Sequence, residues 1–88
     1  MRIRRIIIDE EFVAEFNKLP APIQRRADKA REFFLNDPFH PSLRLHKLSG
    51  KLDGYWSISV THRYRILFVR KEDGDVLFFS IGTHAIYD

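Results

Sequence analysis

The apolar spacing changes period partway along the chain, and few folds accommodate that change. Up to Phe34 the large apolar residues recur three and four positions apart: Phe12, Phe16 and Leu19, then Ile23, Ala27, Ala30 and Phe34. From Tyr55 they alternate instead, with Trp56, Ile58 and Val60 set against Ser57, Ser59 and Thr61. A helix returns to one face every 3.6 residues and a strand every second residue, so the first half predicts amphipathic helices and the second half strands.

Local signals divide these halves further. Arg2 to Ile8 is β-branched and partly alternates with Arg, which predicts a first strand. Asp9 can cap a helix over Asp9 to Leu19, with Glu10 and Glu11 at its electropositive end. Pro20-Ala21-Pro22 stops that helix, and Pro22 suits the first turn of the next. Along the second helix Arg25, Arg26, Lys29 and Arg31 fall mostly off the apolar stripe, and Asn36-Asp37-Pro38 ends it. Pro38 to Pro41 is expected to be loop, and Leu43 to Gly54 turn-rich, with Ser49-Gly50 and Asp53-Gly54 as turn signals. Tyr55 to Thr61 and Tyr64 to Arg70 are expected strands. Glu72-Asp73-Gly74-Asp75 is an expected hairpin turn. Val76 to Ile81 is expected to be a strand covered on both faces, ending at Gly82 before a tail from Thr83 to Asp88. The expectation is an α+β domain of order β-α-α-β-β-β, an antiparallel sheet with two N-terminal helices on one face.

At 88 residues the chain is expected to be one domain. A domain this small buries only about 60% of its unfolded surface, and eight Phe supply dense core material. The absence of cysteine excludes disulfides and Cys-ligated zinc or iron–sulfur sites, and makes a reducing cytoplasm the natural home. The apolar run Ile6-Ile7-Ile8 stops at Asp9, too soon for a signal peptide, and no run approaches bilayer length. A formal charge of +3 and a pI near 9.5 bias the chain mildly toward polyanions.

Chemistry on a polyanion needs more than charge. When RNA is cut without a metal, its own 2′-hydroxyl attacks phosphorus. A base must take that proton, an acid must protonate the leaving oxygen, and a cation must answer the charge on phosphate. Histidine can do either proton transfer near neutral pH, and the planar guanidinium of arginine matches two phosphate oxygens. Three residues of the strand half supply these types. His84 follows the last strand, Arg65 stands on the opposite side of its strand from Tyr64, Ile66 and Phe68, and His46 lies in the loop before the second strand. Each is also readable as a solvated surface residue. Lys47, Lys51 and Arg63 add positive charge nearby. His40 and His62 are weaker candidates, one between prolines and the other at a hairpin corner. No Gly-rich phosphate loop or HExxH motif is present. Nothing draws Ser57 or Ser59 into a triad, and a metal on His46 and His84 would lack a third ligand.

Several strings resemble the RelE/ParE superfamily of bacterial toxins: Leu48-Ser49-Gly50, Gly54-Tyr55-Trp56-Ser57-Ile58, Tyr64-Arg65-Ile66-Leu67-Phe68 and Gly82-Thr83-His84. The middle strings are similar to the YoeB branch and the last to the YafQ branch. The resemblance implies a microbial-ribonuclease-like fold, cleavage of mRNA in the ribosomal (30S) decoding site, and neutralisation by a co-encoded antitoxin whose complex can contact operator DNA. It implies no cofactor and no membrane. By position it makes His46 and His84 catalytic, Arg65 the phosphate-binding arginine and Tyr87 a neighbour of the aromatic that orients RNA. Lys47, Lys51 and Arg63 then become RNA contacts. Where YafQ-like enzymes carry an acidic residue before the third strand, this chain has His62 and Arg63. The division of base and acid between the histidines stays open. So do two other functions of the superfamily: a ParE-like inhibitor of DNA gyrase without ribonuclease activity, and an inactive relative retained as a co-repressor.

Overall fold

A computed structural model describes residues 1–83. Strand β1 (Arg5–Ile8) leads into helices α1 (Glu10–Asn17) and α2 (Ala21–Asn36), followed by strands β2 (His46–Lys47), β3 (Tyr55–Ser59), β4 (Arg65–Arg70) and β5 (Asp75–Gly82). The sheet runs β1-β5-β4-β3-β2, so the α+β architecture with both helices preceding the hairpin-linked strands is as expected.

The caps follow the local chemistry. The Asp9 carboxylate accepts the Glu11 amide at 3.2 Å, satisfying one of the orphan N–H groups at the start of α1. Pro22 sits in the first turn of α2, where its missing N–H costs nothing. At the other end the Asp37 amide still reaches Phe33 O at 2.7 Å, and Pro38 prevents further winding.

The helices cover one sheet face. Phe34 is fully buried, with its ring 4.9 Å from that of Phe68 and 5.8 Å from that of Phe78. Phe12 reaches Phe78 at 5.6 Å, while Ala27 and Ala30 let α2 approach closely. Ile58 and Ile66 complete this layer, and Phe16 and Ile23 flank it half-buried.

The sheet departs from the sequence expectation in three details. First, it is mixed: β1 pairs with β5 in parallel, and only the other pairs are antiparallel. Because β1 is separated from its partner by the whole chain, alternation along β1 cannot reveal its direction. Second, His46 is not in a loop. His46–Lys47 is a two-residue strand on the edge of β3, too short for any periodic signal. Third, β5 is covered on one face more than the other. Val76, Phe78 and Ile81 are buried, whereas Leu77, Phe79 and Ser80 are half-buried. A bulge causes part of this, since Leu67 pairs with Ser80 and Phe68 with Phe78, leaving Phe79 as the extra residue.

The β4–β5 turn is pinned to β1. Asp73 and Gly74 both adopt left-handed backbone conformations, at φ 58° and 84°. A Cβ on Gly74 would lie 3.0 Å from Arg2 O, a tight approach added to the strain of a positive φ, so the position favours glycine. Asp75 is buried beside this turn. Its carboxylate accepts from Arg4 Nε at 2.8 Å and Nη2 at 2.9 Å, and from Arg5 Nε at 3.0 Å. The hydrogen bonds from Arg4 hold the Asp75 carboxyl below the usual carboxylate range, against the opposing pull of burial.

Candidate functional site

The candidate site is the sheet face turned away from the helices. Along β3, Trp56 and Ile58 point toward the helix-covered core, so Tyr55, Ser57 and Ser59 point the other way. Register carries that face across the sheet. His46 stands opposite Ser57, and Arg65 opposite Ser59. Directly paired residues share a face, so His46 and Arg65 lie on one surface, two strands apart. Strand and residue spacings put their Cα atoms about 12 Å from each other, and both side chains are long enough to reach inward.

Arg65 is held before any ligand arrives. Its Nη1 donates to Ser59 Oγ at 3.0 Å. Its Nε is buried and has no hydrogen-bond partner among the described residues. A buried guanidinium N–H left unsatisfied costs about 1–3 kcal/mol, and such groups are uncommon away from functional sites. The Oγ of Ser57, in the same row as His46, is likewise buried without a partner.

The other candidates are distributed around this face. Lys47 stands opposite Trp56 and its Nζ lies 6.0 Å from the Trp56 ring centroid, which puts it on the reverse side of β2 from His46. Lys51 is exposed in the turn Gly50–Leu52 before β3. Arg63 is exposed in the β3–β4 corner, at the end of the sheet where Arg65 lies. The structure therefore groups Arg65 and Arg63 at one end, with His46 across the sheet, and does not bring Lys47 or Lys51 to them. His84 and Tyr87 lie outside the described residues. Gly82, two residues before His84, is the register partner of Arg65. His40 has a structural role: its ring stacks on Phe33 at 4.5 Å and Nδ1 accepts the Ser42 amide at 3.2 Å.

Two supporting residues escaped sequence reasoning. Ser59 clamps Arg65, and its only signal was a polar position on an alternating strand. Glu15 in α1 accepts the Ile81 amide at 3.0 Å and the Ser80 hydroxyl at 3.3 Å. Parallel pairing with β1 stops at Phe78, so Glu15 satisfies the β5 edge where the neighbouring strand has ended. A glutamate on a helix carries no sequence signal for that task. Among the described residues, no group of three His, Cys, Asp or Glu is placed to hold a metal ion, and no helix is long and apolar enough to cross a membrane.

Comparison with known proteins places this geometry in a family. Residues 21–88 match the model of a ParE-like toxin domain. No curated protein matches the sequence. Among solved structures, YafQ from E. coli strain BL21(DE3) is similar at a TM-score of 0.77 and 16% identity, covering 99% of this chain and 98% of that one. The E. coli DinJ–YafQ toxin–antitoxin complex is similar at 0.75 and 18%, with coverage of 96% and 97%. The YoeB/ParE toxin from Agrobacterium tumefaciens is similar at 0.74 and 14%, with coverage of 91% and 98%. These identities speak for the fold alone. The family model spans well over half of the sequence, and the chain belongs to the ParE-like toxin domain family, within the RelE/ParE superfamily.

Proposed function

We propose that this protein is the toxin of a type II toxin–antitoxin pair and acts as a ribosome-dependent, metal-independent mRNA endoribonuclease. The observation that carries this reading is Arg65, clamped by Ser59 on the sheet face it shares with His46, with a buried guanidinium nitrogen unengaged. A phosphodiester laid across this face meets a fixed cation and an imidazole from two different strands. His84, just past the register partner of Arg65, completes the acid–base pair, and Tyr87 orients the RNA. Arg65 answers the charge that develops on the phosphorane oxygens. One histidine takes the 2′-hydroxyl proton, which the ring retains as an imidazolium. The other gives its proton to the departing 5′-oxygen, leaving a 2′,3′-cyclic phosphate. Arg63 and Lys51 bind flanking phosphates. Lys47 contacts RNA only where a strand wraps the edge of β2.

A partner follows from similarity and charge. One neighbouring fold is a toxin–antitoxin complex, and a basic chain with an open site is silenced most simply by an acidic segment that covers it. A co-encoded antitoxin is therefore the proposed partner, and operator DNA a partner of the complex.

The ParE-like description of the family model favours a second function, inhibition of DNA gyrase without cleavage of RNA. Mapping transcript ends after induction in a bacterium separates the two. Cuts within translated codons are the expected result. DNA breaks dependent on gyrase, with intact transcripts, would replace the ribonuclease reading by the second.

A further inference from the structure

Behind the Arg65 end of the sheet lies a cleft of about 620 Å³ between α2, the turn Pro41–Leu43 and the end of β3. Its volume is in the range of ligand sites. Arg26 and Lys29 reach it from α2, Arg44 from the turn and His62 from the β3–β4 corner, while Ser42, Ser59 and Thr61 add hydroxyls. Among the described residues no carboxylate lines it, and the ion pairs are those of Arg4 and Arg5 with Asp75, at the opposite end of the sheet. Arg44 is moreover held at φ 45° and ψ 50°, a left-handed conformation that side-chain-bearing residues seldom adopt.

We propose that this cleft is a second phosphate subsite that grips the sugar–phosphate backbone of a single-stranded nucleic acid without reading its bases. Three observations select that occupant. Cations without carboxylate partners attract a polyanion. Ser59, which lines the cleft, is the residue whose hydroxyl holds Arg65 Nη1 at 3.0 Å, so the cleft and the candidate catalytic face meet at one residue at the end of β3, and a strand passing round that end can reach both. The aromatic ring of the cleft is already engaged: His40 stacks on Phe33 at 4.5 Å, and Lys29 Nζ stands 5.8 Å from its centroid. Base readers of single strands offer a free aromatic face for stacking. This cleft offers charge and hydroxyls instead, which position a strand but carry no sequence information. An acidic protein segment would exploit the same charge, and the test below separates it from a nucleic acid.

The inference rests on the nucleic-acid reading of that face but not on cleavage, and the test keeps them apart. The probe is a fluorescein-labelled 2′-O-methyl oligonucleotide, which cannot be cut through its 2′-oxygen, as oligo-U and oligo-A, titrated with the purified chain by anisotropy at several salt concentrations. The wild type is expected to bind both. Arg26→Ala/Lys29→Ala should weaken both by about tenfold and alike, and should lower the slope of log K against log salt by roughly 1.4, since each lost contact on a single strand removes about 0.7. Arg31→Ala, on the same helix but outside the cleft, should bind as wild type, and circular dichroism should show each variant folded. The proposal is overturned if the double variant binds like Arg31→Ala, or if only one of the two sequences is affected. It is overturned equally if the double variant keeps RNA affinity but loses binding to a poly-glutamate peptide, which would assign the cleft to an acidic protein. If instead these results hold while Arg65→Ala still cuts ribosome-bound mRNA, the catalytic reading fails and the subsite stands.

Discussion

At the scale of single residues, Arg65 and Asp75 show two uses of a guanidinium. Among the described residues Arg65 is held by one neutral hydroxyl and no carboxylate, whereas Arg4 spends its fork on Asp75. Replacing Arg65 by Ala should lower cleavage of ribosome-bound mRNA by about 10²–10³-fold, the usual cost of removing a donor to a developing oxyanion. His46→Ala and His84→Ala should each lose about 10²–10⁴-fold. Single-turnover assays on programmed ribosomes read these losses. Wild-type rates in both histidine variants would remove the proposed site. Asp75 makes a pH prediction. Its folded carboxyl titrates lower than in the unfolded chain, so its stabilisation is complete above the unfolded value of about 3.9 and disappears as pH falls through the lowered folded value. Asp75→Asn should melt earlier than wild type at pH 7 and lose less of its remaining stability below pH 4. Calorimetry across that range checks the sign. Parallel curves for the two proteins would mean that Asp75 contributes nothing through its charge.

At the scale of elements, α2 ties the fold to the function. Its apolar stripe delivers Phe34 between Phe68 and Phe78, while its polar flank delivers Arg26 and Lys29 to the cleft. Phe34→Ala should cost about 3–5 kcal/mol through lost transfer energy and the cavity left behind. That is a large share of a small domain's stability, read as a fall in Tm of more than about 12 °C. A variant melting like wild type would show that the Phe34 contacts do not sustain the core. This stripe was legible in the sequence because a helix seated on a sheet needs apolar residues at 3.6-residue spacing and little else. Strand β2 was illegible for the converse reason. Two residues have no period, and His46–Lys47 is a strand only because β3 offers a free edge. The same limit hid the task of Glu15, which exists because β1 stops pairing at Phe78 and leaves the Ile81 amide without a strand partner.

At the scale of the whole molecule, the helices cover one sheet face, and the other carries Arg65 and His46, with the basic cleft at one end. An acidic partner that neutralises this arrangement should bind more weakly as salt rises. Co-expression of the product of an adjacent small gene should restore growth to cells expressing this chain, and the purified pair should separate more readily at 1 M than at 0.1 M salt. A chain harmless on its own, or a neighbour that does not bind it, would end the toxin–antitoxin proposal. The amino-acid sequence alone determined the helices, the hairpin-linked strands, the helix-facing core and the side of β4 on which Arg65 stands. Each of these follows from periodicity, caps and turns, which act over a few residues. The tertiary structure decided the parallel placement of β1, the strand character of His46 and the meeting of His46 with Arg65 on one face. It also decided the clamp from Ser59 and the convergence of Arg26, Lys29, Arg44 and His62. These are pairings between segments distant along the chain, and they come from strand register and packing, which no local pattern encodes.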